Sequence, residues 1–318
     1  MAVIILLQFL LTLVMTVGII LLLILTVSWI TYYIAFHSPR KGQDDPYNIP
    51  SGDQYMDHRK DMQTMIEILD GIPFERVYIT SDDGLKLSGR YYHHADGAPL
   101  DIGFHGYRGT AVRDFCGGSQ ISFELGHNVL LVDQRAQGKS EGHAITFGIK
   151  ESKDCLCWIR YAAERFGADI PVTLYGVSMG GTTVLMASGM ELPDNICCIV
   201  ADCPFSDPET IIRKVCGDMG LPHKLAYPFI ALGARIFGGF RLSDGDAAEA
   251  VKHAKLPILI IHGEEDRFVP CEMSKRICAK NPLVELVTFP GAGHGLSFVT
   301  DRLRYEKTVR AFLEKHVK

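Results

Sequence analysis

The first 39 residues of this 318-residue chain contain no Asp, Glu, Lys or Arg. A stretch without charge that long is foreign to the surface of a water-soluble domain. The uncharged run from Ala2 to Phe36 also exceeds the ~20 apolar residues that a membrane-spanning helix needs. A signal peptide would require a basic leading region, an apolar core of roughly 7–15 residues and a small-residue cleavage site, and the segment has none of these features. Trp29, Tyr32 and Tyr33 close the run, where aromatic rings favour the headgroup region. A retained transmembrane anchor over residues 1–36 is therefore expected. Arg40, Lys41, Arg59 and Lys60 follow it, while only the α-amine precedes it, so positive-inside bias puts the remainder of the chain in the cytoplasm.

Other absences narrow the function. No C-x-x-C occurs among the nine cysteines, which removes the usual zinc pattern. Their number is odd, and Cys155/Cys157 and Cys197/Cys198 are too close for ordinary bridges, as in a reducing compartment. All nine read as small core residues. No run of five like charges and no basic stripe accompany the net charge of −5, so a nucleic-acid partner is not expected. No internal repeat is present. The roughly 280 residues beyond the anchor amount to one large domain or two small ones.

Residues 37–72 are polar and carry Pro39, Pro46 and Pro50 before an amphipathic helix expected at about 54–69, with Met56, Met62, Met65, Ile66 and Leu69 on its apolar side. This segment reads as a juxtamembrane spacer without chemistry. From residue 73 strands and helices alternate. Strands are expected at 74–80 and 85–92, joined at Ser81-Asp82-Asp83-Gly84, whose Asp-Gly is a hairpin signal. Further strands fall at 100–104, 128–132, 171–175, 196–201, 257–261 and 284–289, with helices at about 112–125, 150–166, after residue 178, at 271–279 and at the C-terminus. One hairpin followed by repeated β–α units predicts a mostly parallel sheet with helices on both faces.

After the fifth of these strands comes Gly176-Val177-Ser178-Met179-Gly180, a G-x-S-x-G at a strand-to-helix junction. Alone the pattern is weak; its context gives it weight. HGYRG (105–109) follows the third strand and DQRAQGKS (133–140) the fourth. HGEEDRFVP (262–270) follows the seventh, and GAGHG (291–295) precedes the last helix. Five motifs in this order resemble the α/β-hydrolase superfamily across about residues 73–318. Within it the chain is most similar to membrane-anchored, single-domain serine hydrolases of the esterase and acyl-hydrolase group.

The resemblance implies an eight-stranded α/β-hydrolase fold with a small helical lid and a Ser…acid…His order of catalytic residues. Ser178 would be the nucleophile, His294 the base in its glycine-rich loop, and Asp266 the acid that orients the ring. Glu264 and Glu265 are adjacent competitors for the last role. The backbone N–H groups of Tyr107 and Met179 would form the oxyanion hole, and the Met179 side chain would line the pocket. Asp133, Arg135, His105 and His262 read as structural. The insertion at about 206–242 would set substrate choice. Its stretch 221–240 is apolar on more than one face, which fits a small cap packed onto the core, a lid over an apolar cleft or a helix at a lipid surface; the lid is the sharper expectation, and Phe229, Phe237 and Tyr107 are the substrate-binding candidates. No metal or organic cofactor is implied. The expected partners are a small-molecule or lipid acyl substrate and the membrane. The expected activity is cleavage of an ester, thioester or related acyl bond through an acyl-enzyme. A serine peptidase or acyltransferase of the same fold, or a tethered non-catalytic binding module, remains as an alternative.

Overall fold

The computed structural model describes residues 1–38 and 45–317. Arg40 and Lys41, two of the positive residues behind the expected orientation, lie outside that range. Helix α1 (Ala2–Ala35) is long and apolar enough to cross a membrane, and residues 1–23 are exposed throughout. Three threonine hydroxyls in its exposed part are satisfied within the helix: Thr12, Thr16 and Thr26 donate to the carbonyls of Gln8, Thr12 and Leu22 at 2.9, 2.8 and 2.8 Å. Hydroxyls bonded to their own helix suit an apolar solvent.

The helix expected at 54–69 is two pieces, α2 (Asp53–Met56) and α3 (Arg59–Asp70). Strands β1 (Glu75–Thr80) and β2 (Lys86–Tyr92) form the antiparallel hairpin that Asp83-Gly84 predicts, with Gly84 at φ 86°. β3 (Leu100–Phe104) is followed by α4 (Ala111–Phe115) and α5 (Gly118–Glu124) in place of one helix over 112–125. The break falls at Cys116-Gly117, where a side chain on Gly117 would run into the Phe298 ring. β4 (Asn128–Asp133), α6 (Glu151–Phe166), β5 (Val172–Val177) and α7 (Met179–Ala187) follow. After β6 (Ile196–Asp202) the insertion holds α8 (Pro208–Asp218) and α9 (His223–Ile236), and then comes α10 (Ala247–Ala250). β7 (Ile258–Gly263), α11 (Cys271–Cys278), β8 (Val284–Phe289), α12 (Ser297–Thr300) and α13 (Arg302–His316) complete the chain.

The eight strands make one sheet in the order β1-β2-β4-β3-β5-β6-β7-β8. The β1–β2 and β2–β4 pairs are antiparallel and every later pair is parallel. Parallel strands need both faces covered. One face packs on α6, α7, α10 and α11 through Trp158, Leu185, Ala248 and Ile277. The other packs on α3, α4, α5 and α13 through Ile66, Phe115, Ile121 and Phe312. This is the α/β-hydrolase architecture. It gathers the C-terminal ends of β3, β5, β6 and β7 along one edge, where the motifs lie.

The insertion packs beside that edge as a small helical cap: Ile211, Ile212, Cys216 and Ile230 share one apolar cluster with Met179, Phe205 and Val269. α9 packs along the C-terminal third of α1, where a side chain on Gly233 would overlap the Ser28 carbonyl. Ala234 of α9 lies in the same buried cluster as Tyr32 and Phe36 at the C-terminal end of α1.

Candidate active site

Between β5 and α7 the chain reverses within one residue. Ser178 takes φ 54° and ψ −116°, a conformation that a non-glycine residue adopts only when its surroundings impose it. The surroundings are two glycines. A side chain on Gly176 would overlap the Gly180 carbonyl, and one on Gly180 would overlap that of Phe104. The Ser178 amide donates to Asp202 O at 2.7 Å, which ties the turn to the end of β6. The strained turn lifts the hydroxyl to the C-terminal edge of the sheet.

The His294 imidazole lies between Ser178 and Asp266. Its Nε2 is 2.9 Å from Ser178 Oγ and its Nδ1 is 2.7 Å from Asp266 Oδ2. Asp266 is buried, and its Oδ1 accepts from the Phe268 and Val269 amides at 2.9 and 2.8 Å. Burial pushes its pKa up, but hydrogen bonds from the His262 and His294 rings outweigh that and hold it well below the usual carboxylate range. An ionised carboxylate accepts, so Nδ1 of His294 donates and Nε2 presents its lone pair to the serine hydroxyl. The competitors Glu264 and Glu265 are exposed, and Glu264 instead accepts from Thr288 Oγ1 at 2.6 Å.

His262 does more than finish a strand. Its Nε2 is 2.8 Å from Val269 O, which can only accept, so that nitrogen carries the proton; the same Nε2 is 3.3 Å from Asp266 Oδ2. Its Nδ1 then accepts from Ser274 Oγ at 2.7 Å. His105 fixes the loop after β3, with Nδ1 donating to Gly106 O at 2.8 Å and Nε2 accepting from the Gln134 amide at 3.1 Å. In the same loop the Gly106 amide donates to Asp114 Oδ2 at 2.7 Å. Burial pushes Asp114 up, and its neighbour Arg113, 2.7 Å away, pulls it below its ordinary value. Arg135 is buried between Asp154 (2.6 Å) and Asp83 (2.9 Å) and is structural.

The amides of Tyr107 and Met179 do not appear among the turn and loop hydrogen bonds of the described residues. Met179 begins α7, so its N–H belongs to the free first turn of a helix. Its side chain is fully buried in the core and is not the pocket wall that the sequence reading expected. Tyr107 borders the cavity described next. Its hydroxyl donates to Ala35 O at 2.8 Å, and Arg108 beside it donates to Ile34 O (2.8 Å) and His37 O (3.1 Å). The loop after β3 is thereby joined to the C-terminal end of α1.

Ser178 and His294 open on a cavity of about 330 Å³, at the low end of small-molecule sites. It runs back between the sheet and α3, α5 and α13 along Met62, Met65, Ile121, Phe298, Val299 and Val309. Phe229 and Phe237 do not line it. Phe237 packs on Tyr32, with ring centroids 5.9 Å apart, because α9 is spent on α1.

Sequence reasoning missed three cavity residues. Gln54 Oε1 accepts from the His294 amide at 3.3 Å, and Tyr55 OH donates to the His294 carbonyl at 2.9 Å. The segment read as a spacer without chemistry therefore clamps the histidine loop. Only its proximity in space reveals this, since the residues lie about 240 positions apart. The third is Asp202, whose Oδ2 accepts from Tyr305 OH at 3.1 Å while Oδ1 is buried without a partner among the described residues. Burial raises its pKa to about 6. Donor atoms of Cys203, Asp266 and His294 lie within 4.8 Å of one another, but burial pushes the Cys203 thiol far from the thiolate that a metal takes.

Comparison with known proteins adds to this geometry. The profile of the prolyl oligopeptidase family matches residues 144–318, and that of the X-Pro dipeptidyl-peptidase (S15) family matches residues 44–218. Among curated proteins, YqkD of Bacillus subtilis (strain 168) is 26% identical over 196 residues, 61% of this chain and 64% of that protein. Human ABHD12B is 30% identical over 243 residues, 69% of this chain and 62% of its own length. The chain thus spans somewhat under two thirds of these two relatives. Among solved structures, the Pyrococcus furiosus esterase Pf2001 superposes with a TM-score of 0.64 at 24% identity, covering 89% of this chain and 99% of the esterase. Est1E of Butyrivibrio proteoclasticus, solved with ferulic acid bound, gives 0.58 at 22% identity, over 76% of this chain and 99% of its own. At these identities the structures speak for the fold.

Proposed function

The chain belongs to the prolyl oligopeptidase family, and with it to the serine hydrolases of the α/β-hydrolase superfamily, and from that premise we propose that it cleaves carboxylic esters or thioesters through an acyl-enzyme on Ser178. The observation that carries this reading is the Ser178–His294–Asp266 relay opening onto an apolar cavity. His294 Nε2 takes the Ser178 proton as Oγ attacks the carbonyl carbon. The oxyanion meets the Tyr107 and Met179 N–H groups, which act on charge that exists only in the transition state. The intermediate collapses, and the imidazolium protonates the departing alcohol or thiol. Water, deprotonated by His294, then releases the acid and restores the hydroxyl.

The acyl group occupies the methionine- and phenylalanine-lined cavity. Helix α1 is the membrane anchor. Arg59 and Lys60 after it favour a cytoplasmic catalytic domain, as do the nine cysteines, all free. The family profiles favour a second reading, hydrolysis of peptide bonds after proline.

The test is kcat/KM over p-nitrophenyl esters from acetate to palmitate, beside a fatty-acyl thioester and glycyl-prolyl p-nitroanilide. Acyl hydrolysis predicts ester or thioester turnover that rises from acetate toward longer chains, with the anilide at least about 10²-fold poorer. Faster turnover of the anilide would replace this reading with the peptidase one.

A further inference from the structure

Neither the catalytic relay nor the cavity uses α9. Its contacts advance in step with those of α1: Gly233 packs against Ser28 and Tyr32 and the C-cap Phe237 ring against Tyr32, and just past the end of α9 Phe240 meets Phe36 edge-on at 5.3 Å. Two helices whose contacts advance together run parallel. The α1 positions withdrawn from solvent, Ile24, Ser28, Thr31, Tyr32, Ala35 and Phe36, form the matching stripe. On the opposite side Trp29 and Tyr33 are exposed, with ring centroids 5.6 Å apart, as aromatic residues are at a headgroup boundary.

The direction of α9 decides what its tip meets. Ten residues separate Gly233 from His223, so at about 1.5 Å per residue α9 reaches back roughly 15 Å toward the N-terminal end of α1. It passes the level of Trp29 and arrives beside the uncovered apolar turns before Ile24. The tip exposes Met219, Leu221 and Leu225, the last at 68%. Along α9 itself no charge falls between Lys224 and Arg235. Lys224 has the length to carry its ammonium back to the headgroups.

We infer that the α8–α9 tip dips into the same bilayer leaflet that α1 enters, giving the protein a second, interfacial membrane contact through Met219, Leu221 and Leu225. The inference rests on α1 being a membrane span, because continuity with that helix is what identifies lipid as the occupant. The contact brings the site mouth to the lipid. In α8, Lys214 pairs with Asp218 next to the tip at 2.5 Å and also donates to the carbonyl of Arg267, beside the cavity residue Phe268. The substrate class this arrangement suits is an acyl lipid delivered from the membrane surface.

The experiment places tryptophan reporters in the full chain, one copy per phosphatidylcholine nanodisc, and quenches them with dibrominated acyl chains. Trp29→Phe removes the native reporter near lipid and leaves Trp158, which is 1% exposed. Leu225→Trp and Leu221→Trp, each added singly, report the tip. Leu303→Trp on α13, at a position 81% exposed, reports water, and Leu13→Trp reports the span. The expected result is a roughly twofold or greater loss of emission at a tip position, with Leu303→Trp unchanged. Tip reporters that behave like Leu303→Trp overturn the inference, as does a blue shift without quenching, which would mean a protein cover. An unquenched Leu13→Trp would sink the span reading separately, and the tip reporters would still decide the contact.

Discussion

Asp202 sits at the end of β6 with one carboxylate oxygen on Tyr305 and the other buried without a partner among the described residues. Burial raises its pKa from 3.8 to about 6. Between those values the folded protein holds a proton that the unfolded chain has released, so stability falls as pH rises through roughly 4 to 6. Above 6 the full cost is present, about 3 kcal/mol at ~1.4 kcal/mol per pH unit. Asp202→Asn keeps an acceptor for Tyr305 and removes the charge. It should melt above the parent at pH 8, with the advantage shrinking to nothing by about pH 4; an offset that does not change with pH would contradict this. Asp202 was invisible in the sequence because nothing local marks it. Ser178, His294 and Asp266 were legible because each sits in a short motif whose glycines record a close backbone approach, as Gly176 and Gly180 do. The residues that steady them, Gln54, Tyr55 and His262 in its role on Asp266, act through contacts that no local pattern encodes.

Among elements, the strands were readable nearly to their ends, since buried parallel strands are short apolar runs bounded by turn residues. Helices were less so. The one read at 112–125 is broken by Gly117 under Phe298, and the insertion read as a lid packs both on the end of α1 and on the cluster that holds Met179, Phe205 and Val269. Periodicity reports that a face is apolar and leaves its partner open. The link from α1 to the loop after β3 was equally hidden, and it has a kinetic consequence. Tyr107 OH holds Ala35 O while the Tyr107 amide faces the reacting carbonyl in the proposed mechanism. Tyr107→Phe removes one of the three hydrogen bonds that tie the loop to the end of α1 without removing that amide. It should lower kcat by about 3- to 10-fold with KM within about twofold, since a small displacement of a transition-state donor costs rate more than binding. Steady-state kinetics on the preferred ester decide the matter; a change confined to KM would show that the hydroxyl serves ground-state binding alone.

For the whole molecule, three segments far apart in sequence converge on one cavity. The sheet edge supplies Ser178, Asp266 and His294, residues 50–65 supply one wall and the clamp on His294, and α13 supplies the other wall. The C-terminal end of α1 is tied to the loop after β3 through Tyr107 and Arg108. In this account membrane attachment and chemistry are one mechanical unit, and everything in it depends on Ser178 being the nucleophile. Reaction with a fluorophosphonate, read by intact mass and then by peptide mapping, tests that directly. A single adduct on Ser178 is expected in the parent chain and none in Ser178→Ala. An adduct that persists in Ser178→Ala, or a parent chain that hydrolyses esters yet resists labelling, would contradict it.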